Sequence, residues 1–185
     1  MKNILLLMVA VLSVHIASAQ QKPTDLDKSP LDVSYYPPNY PILRMSGKTN
    51  ADPLARILYS RPQKKGRSIF GGEVKYNEVW RIGANESTEI EFFKNATLGD
   101  KKIMKGRYTL YCIPTENKWT LILNKENYTW GSFTYKIEKD AARLDVPVQK
   151  NTEEVEALTM YFENNGNAKL VILWDTTKVV VPVSF

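Results

Sequence analysis

Apolar side chains recur at every second position along most of this chain, in short runs broken by turn residues, and that period directs it into strands. Residues 88–92 put Ile90 and Phe92 on one face, residues 118–124 do the same with Trp119, Leu121 and Leu123, and residues 178–185 turn Val179, Val181 and Val183 inward. Residues 107–113 lead into 118–124 through the turn Pro114-Thr115-Glu116-Asn117, and residues 168–174, apolar on both faces, suit a central strand. Residues 56–59 and 79–82 are shorter strand candidates. Residues 154–162 fit two patterns. Asn151 with Glu154 resembles a capping box, and Val155, Leu158 and Phe162 have helical spacing; Leu158, Met160 and Phe162 also have period two. The turn Asn164-Asn165-Gly166-Asn167 then opens directly onto another strand, which favours a hairpin. No stretch of roughly 15 residues is strongly helical. Strands about ten residues apart predict an all-β chain: a single-domain antiparallel β-sandwich or closed barrel, with at most one short helix or turn near residues 135–143.

The amino-terminal part reads differently. Lys2, an apolar run over residues 4–16 and the small residues Ala17-Ser18-Ala19 make residues 1–19 an export signal. Ser13 and His15 interrupt the run, which is shorter than the about 20 residues of a spanning helix, so no membrane span is expected. Cleavage near Ala19 leaves a periplasmic or extracellular protein. Residues 20–28 read as a flexible tail and residues 29–185 as the β domain. Residues 31–36 suit an edge strand, and Pro37, Pro38 and Pro41 predict an extended segment after it.

Export changes the chemical inventory. The one histidine of the chain, His15, leaves with the signal, which excludes Ser-His-Asp and Cys-His catalysis, histidine-ligated metals and imidazole switching. Cys112 is alone, so no intramolecular disulfide forms, and its place beside Tyr108 and Leu110 predicts a buried, inert thiol. No calcium-loop pattern occurs, and neither a metal nor a cofactor is expected. The formal charge of +5 and pI of about 9.1 are borderline for a nucleic-acid protein, but the charges alternate in sign along the chain. No nucleic-acid partner is expected.

One stretch departs from plain core-and-turn patterning. Residues 60–88 contain Arg61, Arg67, Trp80, Arg81 and Asn85 among Gly66, Gly71, Gly72 and Gly83. An arginine beside a tryptophan in an apolar segment needs a partner. That partner is either an internal carboxylate such as Glu86, Glu89 or Asp140, or an anionic or carbohydrate-like ligand in a cleft. Trp80 and Trp130 are candidates for a stacking platform, against the simpler reading of core packing. The glycines form neither a dinucleotide nor a P-loop pattern.

Tyr59-Ser60-Arg61-Pro62, then Lys65-Gly66-Arg67 with Ile69-Phe70-Gly71, then Trp80-Arg81 with Gly83-Ala84-Asn85-Glu86 and Thr88 resemble, in order, the signature of bacterial domain-of-unknown-function family 2911. Gly106, Tyr108, Pro114, Trp119, Asn124, Trp130-Gly131, Tyr135, Asp140 and Arg143 continue the likeness, while Lys105 stands where a small residue is usual. The resemblance implies an exported all-β protein and carries no activity.

The sequence therefore predicts an exported binding protein whose ligand or envelope partner meets Arg61, Arg67, Trp80, Arg81 and Asn85. The alternative is a histidine-free hydrolase acting on carbohydrate or another envelope substrate through paired carboxylates, with Glu86 and Asp140 as the candidates. The exported protein is expected to begin at Gln20. N-terminal sequencing checks this, and a mature chain retaining His15 would remove the histidine-free constraint.

Overall fold

The computed structural model describes residues 25–185; the predicted signal and most of the predicted tail lie outside the described residues. Nine strands follow the chain: β1 (Leu31–Tyr36), β2 (Ala55–Ser60), β3 (Glu89–Phe92), β4 (Ala96–Leu98), β5 (Lys101–Ile103), β6 (Gly106–Pro114), β7 (Lys118–Asn124), β8 (Asp140–Asn165) and β9 (Asn167–Ser184). All pair antiparallel, in the order β1-β2-β3-β6-β7-β8-β9-β4-β5. The fold is all-β, and the sheet does not close into a barrel.

The long strand β8 gives the sheet its shape. Its first residues pair with β7, from Asn124 opposite Asp140 to Lys118 opposite Pro147. From Val148 onward it pairs with β9, ending at Asn165 opposite Asn167 around Gly166. Between Lys150 and Thr159 the register slips twice, and Asp175 in β9 takes a left-handed φ of 54° beside the slip. Such bulges bend a strand and tighten its twist, so the two halves of the sheet face one another across one core. That core joins Ile57, Phe92, Leu110 and Leu121 from one half to Leu158, Leu170 and Val181 from the other. One cluster of four aromatic rings lies in it, with Trp80 stacked on Trp174 (5.9 Å, 17°) and Phe70 and Trp119 set at steeper angles. Cys112 is wholly buried in β6, and burial pushes its thiol well up from the usual range.

Curling leaves a seam where β1 and the residues after β2 meet the free edge of β8. Leu158 N–H donates to Pro62 O (3.0 Å) and Lys64 N–H to Glu156 O (2.7 Å). Arg61 spans the same seam: Nε donates to Leu158 O (3.2 Å), Nη2 to Thr159 Oγ1 (3.0 Å) and Nη1 to Asp32 Oδ2 (3.1 Å). At its far end Tyr36 OH donates to Asn164 Oδ1 (3.1 Å).

Two local expectations change and a third is made specific. Residues 79–82 form no strand; Trp80 makes a single backbone bridge to Cys112. The prolines after β1 lead into a helix, α1 (Tyr40–Met45), because Pro41 falls in its first turn, where no intrahelical N–H is required. The turn near residue 135 is a 3-10 segment, Ile137–Lys139, that ends as β8 begins.

Arg61→Ala removes the donors to Leu158 O and Thr159 while the Asp32 pair, open to solvent, contributes little. Loss of about 1–3 kcal/mol of unfolding free energy is expected in urea titration. A change below about 0.5 kcal/mol would show that the backbone bonds alone hold the seam.

Candidate functional site

The connection from β2 to β3, residues 61–88, is long for a link between neighbouring strands, and such loops are usually functional. It is also tightly held. Ser60 Oγ accepts from Ala84 N–H and donates to Ala84 O, both at 2.7 Å. Thr88 Oγ1 donates to Ile82 O (2.7 Å), and Trp80 Nε1 to Gly83 O (3.2 Å). Gly83 must be glycine, since a Cβ there would lie 2.6 Å from Ser60 Oγ. Ile82, wholly buried, takes a φ of 54°, a strained value for a β-branched residue. Trp80 and Ile82 are thus locked into the core, and Arg81 between them is left facing a cavity.

That cavity has a volume of about 300 Å³ and is walled by Pro62, Val74, Trp80 and Trp174, with Arg67, Glu73 and Arg81 as its charged residues. The two arginines differ. Arg67 is engaged at every nitrogen: Nε donates to Lys64 O (3.0 Å), Nη2 to Gln63 O (2.7 Å) and Nη1 to Glu73 Oε2 (2.8 Å). Arg81 has none of this. Its Nε is buried with no hydrogen-bond partner among the described residues. Burial is the sole influence on its guanidinium, which it pushes below the ordinary value; no carboxylate offsets the desolvation. Arginine remains charged even so.

The structure thus brings together Arg67, Trp80 and Arg81 of the residues expected from the sequence. Arg61 is committed to the seam. Asn85, left-handed at φ 57°, donates Nδ2–H to Asp27 Oδ2 (2.8 Å) and so ties down the segment whose Ser29 lines the cavity. Trp80 is a wall with its indole N–H already used. Trp174, at the end of the run 168–174 expected to form a central strand, is core and wall at once; an apolar run shows burial but not that an edge meets a cavity.

The two candidate carboxylates lie in different settings. Asp140 accepts from Asn124 Nδ2 (2.7 Å), Tyr135 OH (2.7 Å) and Arg143 Nε (2.7 Å), and Arg143 also bonds Tyr135 OH. Glu86 is exposed and lines a separate cleft of about 360 Å³ with Glu89, Arg107 and Tyr128. A wider groove of about 490 Å³ beside Asp100, Lys101, Arg143 and Asp145 holds ion pairs already made, Asp100–Lys101, Arg143–Asp140 and Asp145–Lys118, and no free charge comparable to Arg81. Among the described residues no three His, Cys, Asp or Glu side chains are grouped as metal ligands, and no helix is long and apolar enough to cross a membrane.

A family model described as "Protein of unknown function (DUF2911)" matches residues 44–183, which includes every strand from β2 to β8 and most of β9. No curated protein and no solved structure matches the chain.

An uncompensated, half-buried cation costs stability. Arg81→Met keeps the length of the side chain and removes the charge, so the unliganded protein is expected to be unchanged or more stable by up to about 2 kcal/mol in urea. A loss above about 1 kcal/mol would show that the guanidinium is a structural tie.

Proposed function

The chain belongs to the DUF2911 family, whose description carries no activity, and we propose from its own geometry that it binds a small anionic ligand at the Arg81 cavity. The carrying observation is the Arg81 guanidinium, desolvated by the protein and given no counter-charge among the described residues. A ligand anion supplies what the fold withholds. Nε is shut off from solvent, so the terminal nitrogens are the ones that meet the ligand, as a fork suited to two oxygens of one acid group.

Charge narrows the ligand class. Arg67 is neutralised by Glu73 at 2.8 Å, which leaves one uncompensated positive charge in the cavity. A monoanion, a carboxylate above all, fits that balance better than a phosphate dianion, whose second charge would face Glu73. Val74, Pro62 and the indoles of Trp80 and Trp174 offer the rest of the molecule an apolar wall. The volume limits the ligand to a small molecule or one terminal unit of a larger one.

The hydrolase alternative requires two available carboxylates at one cleft. Asp140 has its oxygens committed to Asn124, Tyr135 and Arg143, so nothing favours the pair Glu86 and Asp140; Glu86 does share a cleft with Glu89, but the Glu89 carboxylate there is paired with Arg107 at 3.7 Å. On the reading of residues 1–19 as an export signal, the ligand is met outside the cytoplasm.

The test is thermal unfolding with acetate, benzoate, glucuronate, sulfate and phosphate at matched ionic strength. A carboxylate at about 100 times its Kd is expected to stabilise by about 2.7 kcal/mol, with phosphate weaker, and Arg81→Met abolishes the effect. The proposal fails if no anion exceeds the chloride control, or if the shift survives in Arg81→Met.

A further inference from the structure

Away from the Arg81 cavity, the loop after β7 carries three large aromatic side chains that the core does not absorb. Tyr128 is 80% exposed, Trp130 58% and Phe133 82%. A soluble surface seldom presents such a group of rings without a partner.

The loop does not present them loosely. A chain of hydroxyls holds it from beneath: Tyr111 OH lies 2.9 Å from Thr129 Oγ1, Thr129 Oγ1 donates to Ser87 Oγ (2.9 Å), and Ser87 Oγ donates to Gly131 O (2.6 Å). Backbone bonds Ser87 N–H to Thr129 O (3.0 Å) and Gly131 N–H to Asn85 O (2.9 Å) lock the loop to the end of the β2–β3 connection. Tyr128 sits at a left-handed φ of 62°, and Arg107 both donates to its hydroxyl (3.0 Å) and lies 5.5 Å from its ring centre. Trp130 and Phe133 stack on each other (5.9 Å, 17°), a packing that Gly131 permits because a Cβ there would lie 2.8 Å from the Phe133 ring. Rings fixed in advance lose little entropy when they bind.

Beside them is the cleft of about 360 Å³ lined by Glu86, Glu89, Arg107, Tyr128, Leu31 and Leu58. Tyr128 lines the cleft itself, and Trp130 is joined to the lining residue Glu86 by a backbone bridge. We propose that this cleft and its aromatic margin form a second site, distinct from the Arg81 cavity, that binds a neutral carbohydrate chain.

The polar groups select that occupant. A purely apolar partner would bury the Glu86 carboxylate without a donor. A cationic peptide would meet Arg107, which lies 3.7 Å from Glu89 and 3.5 Å from Glu91 in the same cleft. An anionic chain would meet two carboxylates. Sugar hydroxyls both donate and accept, so one neutral ring can donate to Glu86 and Glu89 and accept from Arg107. Its apolar C–H face meanwhile lies against an indole or phenyl ring.

Isothermal titration of the mature protein with cellohexaose, xylohexaose, mannohexaose and chitohexaose, with hexalysine beside them, tests the site. At least one hexasaccharide is expected to bind with a Kd below about 1 mM. That affinity falls about tenfold in Trp130→Ala or Phe133→Ala, with the melting temperature kept, since both rings lie on the surface. Arg81→Met leaves it intact, so failure of the anion site and failure of this one are read separately. The proposal is overturned if no hexasaccharide binds at about 10 mM, if binding is unchanged in both aromatic variants, or if hexalysine alone binds.

Discussion

A strand of 26 residues cannot run straight through a domain of this size. At about 3.3 Å per residue it would reach roughly 85 Å, about twice the diameter of a compact chain of this length. β8 must therefore bend, and it does so where its partner changes from β7 to β9 and its register with β9 slips. Everything else follows from that bend. The two halves of the sheet share one core because one strand belongs to both, and the seam exists because the curled sheet brings β1 beside a β8 edge that no ladder covers.

The β2–β3 connection answers that geometric problem and shapes both proposed sites. Its first residues cover the seam through Pro62 and Lys64 and through the three bonds of Arg61. Its middle folds over the aromatic cluster of Phe70, Trp80, Trp119 and Trp174 and encloses the Arg81 cavity. Its last residues turn to the other side, where Glu86 and Ser87 meet the loop that carries Tyr128 and Trp130. Edge protection and both proposed binding surfaces thus fall to one segment, which is long and yet heavily bonded.

The β framework was legible in the sequence because period two is imposed by burial on one face, and burial is a property of each residue with its near neighbours. β3, β6, β7 and the hairpin of β8 and β9 all followed from it. The bend of β8 was not legible, since only residues 154–162 of it read as a strand, residues 135–143 read as a short helix or turn, and nothing local says that Asp140–Asn165 is continuous. Nor was α1, where three prolines masked one turn of helix that begins at an ordinary proline position. In the candidate site the residue types were readable and their fates were not. Arg61, Arg67 and Arg81 look alike in sequence; one rivets the seam, one is engaged at every nitrogen by its own loop and Glu73, and one stands alone. What separates them is which acceptors the curled sheet carries to each guanidinium, Leu158 O and Thr159 for Arg61 among them, and those acceptors are remote in sequence. The aromatic loop was legible only in part. Trp130 was a candidate stacking surface together with Trp80, but Trp80 is buried in the core and the ring that Trp130 stacks on is Phe133; their exposure depends on the hydroxyls of buried Ser87 and half-buried Thr129 holding the loop outward.

The orphaned Arg81 carries weight because of what surrounds it. Polar groups left without partners are expected in a loosely packed loop, and there they say nothing. Residues 80–88 are the reverse: Ser60 makes two bonds to Ala84, Thr88 one to Ile82, Trp80 one to Gly83, and Ser87 one to Gly131. A segment that satisfies nearly every other group, and accepts a left-handed isoleucine in doing so, holds its one uncompensated cation where nothing within the fold relieves it. Strain and desolvation that persist within otherwise complete bonding are the physical mark of a position shaped by something other than stability. Glu86 differs in this respect: an exposed carboxylate is solvated by water and its lack of a partner costs nothing. The case for its cleft rests on the fixed rings beside it, whereas the case for the Arg81 cavity rests on the charge itself.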